Sequence, residues 1–268
     1  MISLDDLNCL KGRTALVTGG SAGLGRVCAQ ALASAGARVL IASRKAQACE
    51  AAAAELSAFG ECEGFAGDVG TKEGVAALAR EVGRRTGRLD ILVNNAGATW
   101  GAPFEAFDWA AWDRVLSVNL IGLFTLTRDL VPLLEAAGTD DMPARVVNMG
   151  STVGTVPIGQ QAYSYAASKA AVHHLTRVLS NEFAARHITF NAIAPGLFET
   201  RMTAFAAADE ARKTRAMDAV PMKRFGRPAE LAATLLYLCG RGGSYTTGAV
   251  IPLDGGMSAD AIKSMWEN

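Results

Sequence analysis

The sequence predicts an α/β fold in which helices flank a doubly wound parallel sheet. Three observations predict it. Short apolar runs of strand length alternate with amphipathic helical stretches, a glycine-rich turn joins the first such run to the first long helix, and neither a linker nor an internal repeat divides the 268 residues. Parallel strands need a crossover, which is usually a helix, so this alternation is typical of βαβ units. We therefore expect residues 1–268 to form a single domain, with 258–268 as its tail.

Composition and charge exclude several classes of protein. Lys+Arg and Asp+Glu number 26 each, so no net charge attracts the chain to nucleic acid or to an anionic membrane. The five cysteines are scattered without a C-x-x-C pair, which is typical of reduced thiols rather than of disulfides or a metal site. The acidic N-terminus does not resemble a signal peptide, and no apolar stretch is read as a membrane span. We expect a soluble, cytoplasmic protein without a metal, nucleic-acid or membrane partner.

The first βαβ unit carries the glycine-rich turn. The predicted strand Arg13–Thr18 is followed by GGSAGLG, by an alanine-rich helix that ends at Ala35, and by a second strand, Arg38–Ala42. In this context glycines let the backbone approach a pyrophosphate at the helix N-terminus, so we expect a dinucleotide site here. The glycines concerned are Gly19, Gly23 and Gly25.

The alternation continues along the rest of the chain. Further helices are predicted at 46–59, 72–85, 109–136 and 162–183, and further strands at 63–66, 90–93, 145–149 and 189–194. Pro132 is expected to kink or break the helix 109–136, because proline lacks the amide donor of a helix interior.

Tyr165 and Lys169 form a pair on the predicted helix 162–183. Residues four apart lie on one helix face, and an ammonium there would lower the tyrosine pKa from its ordinary ~10 toward a useful range. Ser151, after the strand 145–149, can reach the same point. A tyrosine and a serine converging on one oxygen suit carbonyl reduction or alcohol oxidation, although the Tyr–Lys pair alone is more typical of an ordinary amphipathic helix. Tyr163 has no such lysine, so we interpret it as a packing or pocket residue.

Several motifs together resemble the classical branch of the short-chain dehydrogenase/reductase family. They are Thr18-Gly19-x-x-x-Gly23-x-Gly25, Asn94-Asn95-Ala96-Gly97, Asn119 within VNL, Ser151, Tyr165-x-x-x-Lys169, Pro195-Gly196 and Leu253-Asp254-Gly255-Gly256. The match runs from about residue 11 to residue 257. The resemblance implies a Rossmann-type sheet of seven parallel strands, hydride transfer with a nicotinamide cofactor, and a homotetramer paired through 109–136, the helix of Tyr165 and 253–257.

The resemblance also implies roles for individual residues. Tyr165 would protonate the substrate oxygen, Lys169 would lower the Tyr165 pKa and bind the nicotinamide ribose, Ser151 would polarise the carbonyl, and Asn119 would hold the helix geometry and a water. His173 and His174 are assigned packing or surface roles. The implied cofactor contacts are Gly19, Ser21, Gly23, Leu24, Gly25, Ser43, Arg44, Lys45, Asp68, Val69, Asn95, Ala96, Gly97, Tyr165, Lys169, Pro195, Gly196 and Thr200.

The end of the second strand predicts NADP(H) rather than NAD(H). NAD enzymes usually carry a carboxylate there, whereas this chain has Ser43 followed by Arg44, which can pair bidentately with a phosphate. Ser21 and Lys45 are possible helpers, and Ala22 stands where many NADP-using relatives carry a basic residue. The alternative interpretation is that Arg44 is a solvated charge.

The substrate is predicted from a segment and from a closer resemblance. Residues 198–225 lie where the family has a mobile lid, and their cations suit a substrate with an anionic handle. The alternative interpretation is that these cations form a solvated face. The runs 162–165, 193–196 and 250–256 resemble β-ketoacyl reductases of the rhamnolipid type, so we expect a 3-oxoacyl thioester as substrate. A dehydrogenase of sugars, polyols, steroids or other ketones, and a non-catalytic nucleotide-binding regulator, remain alternatives. The predicted substrate contacts are Trp100, Ser151, Gln161, Phe198, Met202 and Phe205.

Overall fold

The computed structural model describes residues 4–158, 161–200, 203 and 209–259. Its centre is one seven-stranded sheet in the order β3-β2-β1-β4-β5-β6-β7, with every pairing parallel. The strands are β1 Thr14–Thr18, β2 Arg38–Ser43, β3 Cys62–Ala66, β4 Ile91–Asn94, β5 Ala144–Met149, β6 Ile188–Pro195 and β7 Val250–Leu253. The predicted fold class is confirmed.

Helices cover both faces of the sheet. They are α1 Leu4–Asn8, α2 Gly23–Ser34, α3 Ala46–Leu56, α4 Lys72–Arg85, α5 Trp109–Leu116, α6 Leu123–Glu135, α7 Tyr163–Phe183, α8 Glu210–Asp218 and α9 Pro228–Cys239. Successive strand residues point to opposite faces, so Val17 joins a core with α2, α3 and α9 whereas Leu16 joins a core with α4, α6 and α7. Strands buried on both faces explain why the apolar runs were continuous rather than alternating.

The predicted helix 109–136 is broken at a different place from the one expected. A π-helical segment, Ser117–Gly122, separates α5 from α6, whereas Pro132 lies inside α6 and does not end it. Gly122 packs so closely against the Val69 carbonyl that a Cβ at this position would overlap it. The wide π turn therefore lets the chain pass this contact. The helix does not break at Pro132, and a kink there, the other expectation, stays a prediction.

The same stretch also corrects an expectation about membranes. Trp109–Glu135 is long and apolar enough to span a bilayer by length and composition, contrary to the expectation that the chain contains no such stretch. In the fold, one side of α6 is buried against the sheet through Leu126, Leu130 and Leu134. The apolar residues of α6 therefore form part of the protein core.

A buried polar network fixes α6 and α7 to the sheet. The Asn94 Nδ2 donates to Thr127 Oγ1 of α6 at 3.0 Å and to Asn148 Oδ1 of β5 at 2.9 Å. Asn148 Nδ2 in turn donates to Thr176 Oγ1 of α7 at 3.0 Å. Because unpaired buried polar groups are costly, this chain of bonds holds both helices in one register at the carboxyl end of the sheet.

Candidate active site

An elongated cleft runs along the carboxyl ends of the strands, where the strand order reverses between β1 and β4. Two adjoining cavities of about 320 and 330 Å³ share Gly19, Ala96 and Gly97 in their walls. Ser151, Tyr165, Lys169, Pro195, Gly196 and Thr200 line the first cavity, and Ser43, Arg44, Asp68 and Val69 line the second. Such a crevice is the expected ligand site of an open α/β sheet.

The glycine turn forms the floor between the two cavities. Gly19 and Gly23 have φ of +67° and +55°, a left-handed backbone that favours glycine. A Cβ on Gly25 would overlap the carbonyl oxygen of Gly19. Ala22, which precedes α2, offers no side-chain cap, so the first amides of the helix face the cavity that Gly23, Leu24 and Gly25 line. This end of α2 can receive an anionic group.

Thr18, whose role the sequence reasoning missed, ties the glycine turn to the turn after β4. Its Oγ1 accepts the amides of Asn95 and Ala96, both at 3.0 Å. In return, Asn95 Nδ2 donates to the Thr18 carbonyl at 2.9 Å. Asn95 therefore holds the two turns together as well as lining the cavity. The signal for Thr18 was a hydroxyl at the strand end directly before the glycine.

The residues predicted to choose the cofactor lie at the outer cavity. Arg44 is exposed and lines it, and within the described residues no carboxylate forms an ion pair with its guanidinium. Ser43 Oγ lies 3.0 Å from Ser21 Oγ and 2.9 Å from the buried Cys49 Sγ. Ser21 and Lys45 are not part of either cavity wall.

Asp68 closes the far side of the outer cavity, where an adenine contact was predicted. Its Oδ1 accepts the Gly70 amide at 2.8 Å, which fixes the carboxylate in a turn after β3. The neighbouring Val69 is buried and lines the same cavity.

Tyr165, Lys169 and Ser151 converge at the inner cavity, as predicted. Lys169 is 5% exposed, its Nζ donates to the Met149 carbonyl at 2.6 Å, and it lies 5.6 Å from the centre of the Tyr165 ring. Burial lowers the pKa of Lys169 to about 8. Burial raises the pKa of Tyr165, while hydrogen bonding with Ser151 acts to lower it. The prediction of a lowered Tyr165 pKa was therefore wrong for this chain by itself, because desolvation of the phenolate outweighs the favourable contacts.

Asn119 joins the π segment to the helix of Tyr165. Its Oδ1 accepts the Ala98 amide at 2.7 Å, and its Nδ2 donates to the Ala98 carbonyl at 3.0 Å and to Ser168 Oγ at 2.9 Å. Ser168 Oγ in turn donates to the Tyr165 carbonyl at 2.7 Å. These bonds agree with the geometric role predicted for Asn119. The water predicted beside it stays a prediction.

The predicted substrate contacts are brought together only in part. Phe198 lines the inner cavity but is 4% exposed and packs in the core against Gly226. Trp100 stacks under the Arg114 guanidinium at 4.4 Å, and Gln161 is exposed; neither lines the cavity. Thr203, which was not predicted, lines it together with Thr200. Met202 and Phe205 lie outside the described residues.

Tyr163 is a packing residue at the start of α7. Its ring meets Phe104 and Phe107 edge-on, with centroids 5.8 and 5.1 Å apart. Of the two roles predicted for Tyr163, packing or pocket residue, the structure shows packing.

The cleft fits a dinucleotide by three features of its own. It has two lobes and a floor of glycines, where any larger residue would push a side chain into neighbouring atoms. The amino end of a helix lies at the junction between the lobes. The pyrophosphate would be held by Gly19, Gly25 and the turn after β4. The adenosine half would be held by Arg44 and Asp68.

Comparisons with known proteins agree with this geometry. A family profile described as enoyl-(acyl carrier protein) reductase matches residues 19–258. The rhamnolipids biosynthesis 3-oxoacyl-(acyl-carrier-protein) reductase of Pseudomonas aeruginosa is 46% identical over 247 residues, 92% of this chain and 96% of that protein. A galactitol 2-dehydrogenase (L-tagatose-forming) of Cereibacter sphaeroides is 38% identical over 92% of this chain and 95% of that protein.

A solved structure, the Pseudomonas aeruginosa RhlG/NADP active-site complex, superposes with a TM-score of 0.92 at 45% identity, covering 94% of this chain and 99% of that one. The predicted family is thereby confirmed. By its motifs, its fold and these relatives, the chain belongs to the short-chain dehydrogenase/reductase family.

Proposed function

We propose that this protein is an NADPH-dependent oxidoreductase that reduces the ketone of a 3-oxoacyl thioester to a secondary alcohol. One observation carries the proposal: Ser151, Tyr165 and Lys169 meet at one lobe of a dinucleotide cleft. The chain that contains this arrangement is 46% identical to a 3-oxoacyl-(acyl-carrier-protein) reductase.

The preference for NADPH is supported by charge at the outer cavity. Arg44 offers a guanidinium that is free of ion pairs within the described residues, and Ser43 replaces the carboxylate that would repel a phosphate. The similar solved structure was obtained as an NADP complex. When bound, NADPH supplies the hydride that reduces the carbonyl carbon.

The protein side chains handle the proton and the charge on the substrate oxygen. Ser151 would donate a hydrogen bond to this oxygen, and Tyr165 would donate the proton. Burial raises the pKa of Tyr165, so the phenol keeps its proton at neutral pH, which is the form that a general acid needs. After the transfer, the Lys169 ammonium would stabilise the phenolate.

The identity of the substrate is supported mainly by the relatives. Three of the cations predicted to hold an anionic handle are paired within the chain: Arg212 with Asp209 at 3.2 Å, Lys213 with Glu199 at 3.5 Å, and Arg224 with Glu230. These pairs leave fewer cations for a phosphate or an acidic carrier than the sequence suggested. The polyol dehydrogenase alternative stands on the 38% identity to a galactitol 2-dehydrogenase.

The test follows NADPH absorbance, and NADH absorbance separately, with acetoacetyl-coenzyme A, crotonyl-coenzyme A, simple ketones and, in the oxidative direction, galactitol. We expect turnover of acetoacetyl-coenzyme A with NADPH. Tyr165→Phe should lower kcat at least about 100-fold while NADPH still binds, as measured by fluorescence. The matched control Tyr163→Phe, two residues away on α7, should keep its kcat.

The other outcomes each assign a different function. Turnover of galactitol alone would make the protein a polyol dehydrogenase, and reduction of crotonyl-coenzyme A alone would make it an enoyl reductase. A preference for NADH would show that Arg44 does not choose the cofactor. NADPH binding without turnover of any compound would favour the regulator alternative.

We further propose a soluble, cytoplasmic homotetramer. It is supported by exposed apolar side chains on α5, the π segment, α6 and α7: Trp109 is 80% exposed, Ile121 59%, Val178 48% and Phe124 41%. Light scattering should give four times the 28.0 kDa chain mass, and Ile121→Glu should lower it. A monomer at micromolar concentration would contradict the proposal. Residues 260–268 of the predicted tail lie outside the described residues.

A further inference from the structure

His173 is buried directly beneath the loop that carries Ser151. It lies on α7 one turn after Lys169 and is 4% exposed. It does not line the inner cavity, so it contacts neither cofactor nor substrate. A buried histidine needs a partner for each of its ring nitrogens, because an unpaired buried polar atom is costly.

Both partners belong to the loop after β5. The Ser151 backbone amide lies 3.4 Å from His173 Nε2, and Thr155 Oγ1 lies 3.4 Å from His173 Nδ1. The amide can only donate, so Nε2 must be the acceptor and carry no proton. Nδ1 then carries the proton and donates to Thr155. Burial, with Lys169 and Arg177 adding to it, lowers the His173 pKa to about 4, which agrees with a neutral ring.

Two glycines in the loop make room for the imidazole. A Cβ on Gly150 would overlap His173 Nε2, and a Cβ on Gly154 would lie 2.9 Å from His173 Cε1. The loop is tied down elsewhere as well: the Gly150 amide donates to the Ile193 carbonyl at 2.7 Å. The imidazole therefore occupies space that a side chain at Gly150 or Gly154 would need.

We propose that His173 is a positioning residue for Ser151. As the neutral tautomer protonated on Nδ1, it accepts a hydrogen bond from the Ser151 amide. This bond fixes the backbone that places the Ser151 hydroxyl near the substrate oxygen. This inference rests on the proposed function of Ser151. A displacement of a catalytic group by about 1 Å can lower the rate about 100-fold. A buried contact that acts only through the backbone can therefore control turnover.

The kinetic test compares substitutions at His173 with one at its neighbour. His173→Phe keeps a ring but loses both hydrogen bonds, and we expect kcat to fall about 10- to 100-fold with KM for NADPH unchanged. His173→Gln can present an acceptor near the place of Nε2, and it should recover most of the lost kcat. His174→Phe is the matched control, because His174 is exposed on the same helix, and it should behave as the unsubstituted protein.

A second measurement needs no turnover. The chain has 3 histidines, so their ring nitrogens can be assigned by long-range ¹⁵N–¹H correlation with His173→Gln and His174→Phe as references. We expect His173 to be protonated on Nδ1 alone at neutral pH. Thr155→Val, which removes the Nδ1 partner, should lower kcat about 2- to 10-fold and provides a variant that folds if His173→Phe does not.

Three results would overturn the inference. They are a folded His173→Phe with kcat within twofold of the unsubstituted protein, an equal loss in His173→Phe and His173→Gln, and a His173 ring protonated on Nε2. Failure of the proposed substrate is a separate result. If acetoacetyl-coenzyme A is not reduced, the kinetics use whichever ketone or alcohol is turned over, and the tautomer is measured in any case.

Discussion

Replacing Lys169 by methionine should stabilise the folded chain at neutral pH while abolishing its activity. Burial lowers the pKa of this ammonium from 10.5 to about 8, which corresponds to a folding penalty of about 3 kcal/mol at pH 7. The substitution also removes the 2.6 Å bond to the Met149 carbonyl, and a hydrogen bond to a charged group contributes about 1.5–3 kcal/mol. We therefore expect a net gain of about 1 kcal/mol for Lys169→Met.

The pH dependence of this gain follows from the direction of the pKa change. Between pH 8 and pH 10.5 the unfolded chain binds more protons at Lys169 than the folded chain does, so the stability of the unsubstituted protein rises with pH through this window. From pH 7 to pH 9.5 it should gain about 2 kcal/mol relative to Lys169→Met. Groups that titrate equally in both proteins cancel in this comparison.

Urea unfolding of both proteins, followed by tryptophan fluorescence near pH 7 and near pH 9.5, measures the two differences. Lys72→Met is the matched control, because Lys72 is exposed at the start of α4, and it should change the free energy of unfolding by less than about 0.5 kcal/mol. A Lys169→Met protein that is less stable at pH 7, or a difference that stays constant with pH, would refute the reasoning.

Three further substitutions test other parts of the cleft, and a fourth, Gly83→Ala, is a control outside it. Arg44→Ala should raise KM for NADPH about 10- to 100-fold and leave KM for NADH nearly unchanged; equal effects on both, in parallel kinetics, would contradict a phosphate contact. Gly25→Ala should abolish NADPH binding and lower the melting temperature, because its Cβ has no space; Gly83→Ala, in open space within α4, should stabilise by about 0.5–1 kcal/mol. Asn119→Ala should cost about 2–3 kcal/mol in urea unfolding, since the amide and carbonyl of Ala98 lose their partner; a loss below 1 kcal/mol would contradict this.

Local pattern was sufficient to place most of the strands and helices, whereas the seven-stranded sheet was implied by the family resemblance. The six strands predicted from apolar runs begin and end within one residue of the observed strands β1 to β6. The seventh strand was implied only by the family resemblance. The helix predicted over 72–85 is α4 itself, with the Thr71 hydroxyl accepting the Gly74 amide at its start. The helix predicted to Phe59 ends at Leu56, because alanine-rich sequence contains no sharp stop signal. In this chain, information about where elements lie is largely local.

Contacts distant in sequence were not predictable in the same way. The π segment depends on Gly122 meeting the Val69 carbonyl and on Asn119 bonding to Ala98, and neither contact leaves a mark on helical periodicity. Phe198, predicted as a substrate contact from its place after Pro195-Gly196, does line the inner cavity, but most of its ring occupies a core position that Gly226 leaves open. A residue's position near a motif predicts its neighbourhood, whereas the direction of its side chain depends on what packs there.

The electrostatics of Tyr165 show why spacing alone could not predict its acidity. The four-residue spacing correctly placed Lys169 beside it, but the ammonium is directed at the Met149 carbonyl and is itself desolvated. Burial acts on both groups in the same sense, since it disfavours phenolate and ammonium alike. The Tyr165 phenolate and the Lys169 ammonium therefore stabilise each other. Both charges are present once Tyr165 has given up its proton. The arrangement keeps an acid protonated before the reaction and stabilises its conjugate base afterwards, which is the property that a carbonyl reductase requires.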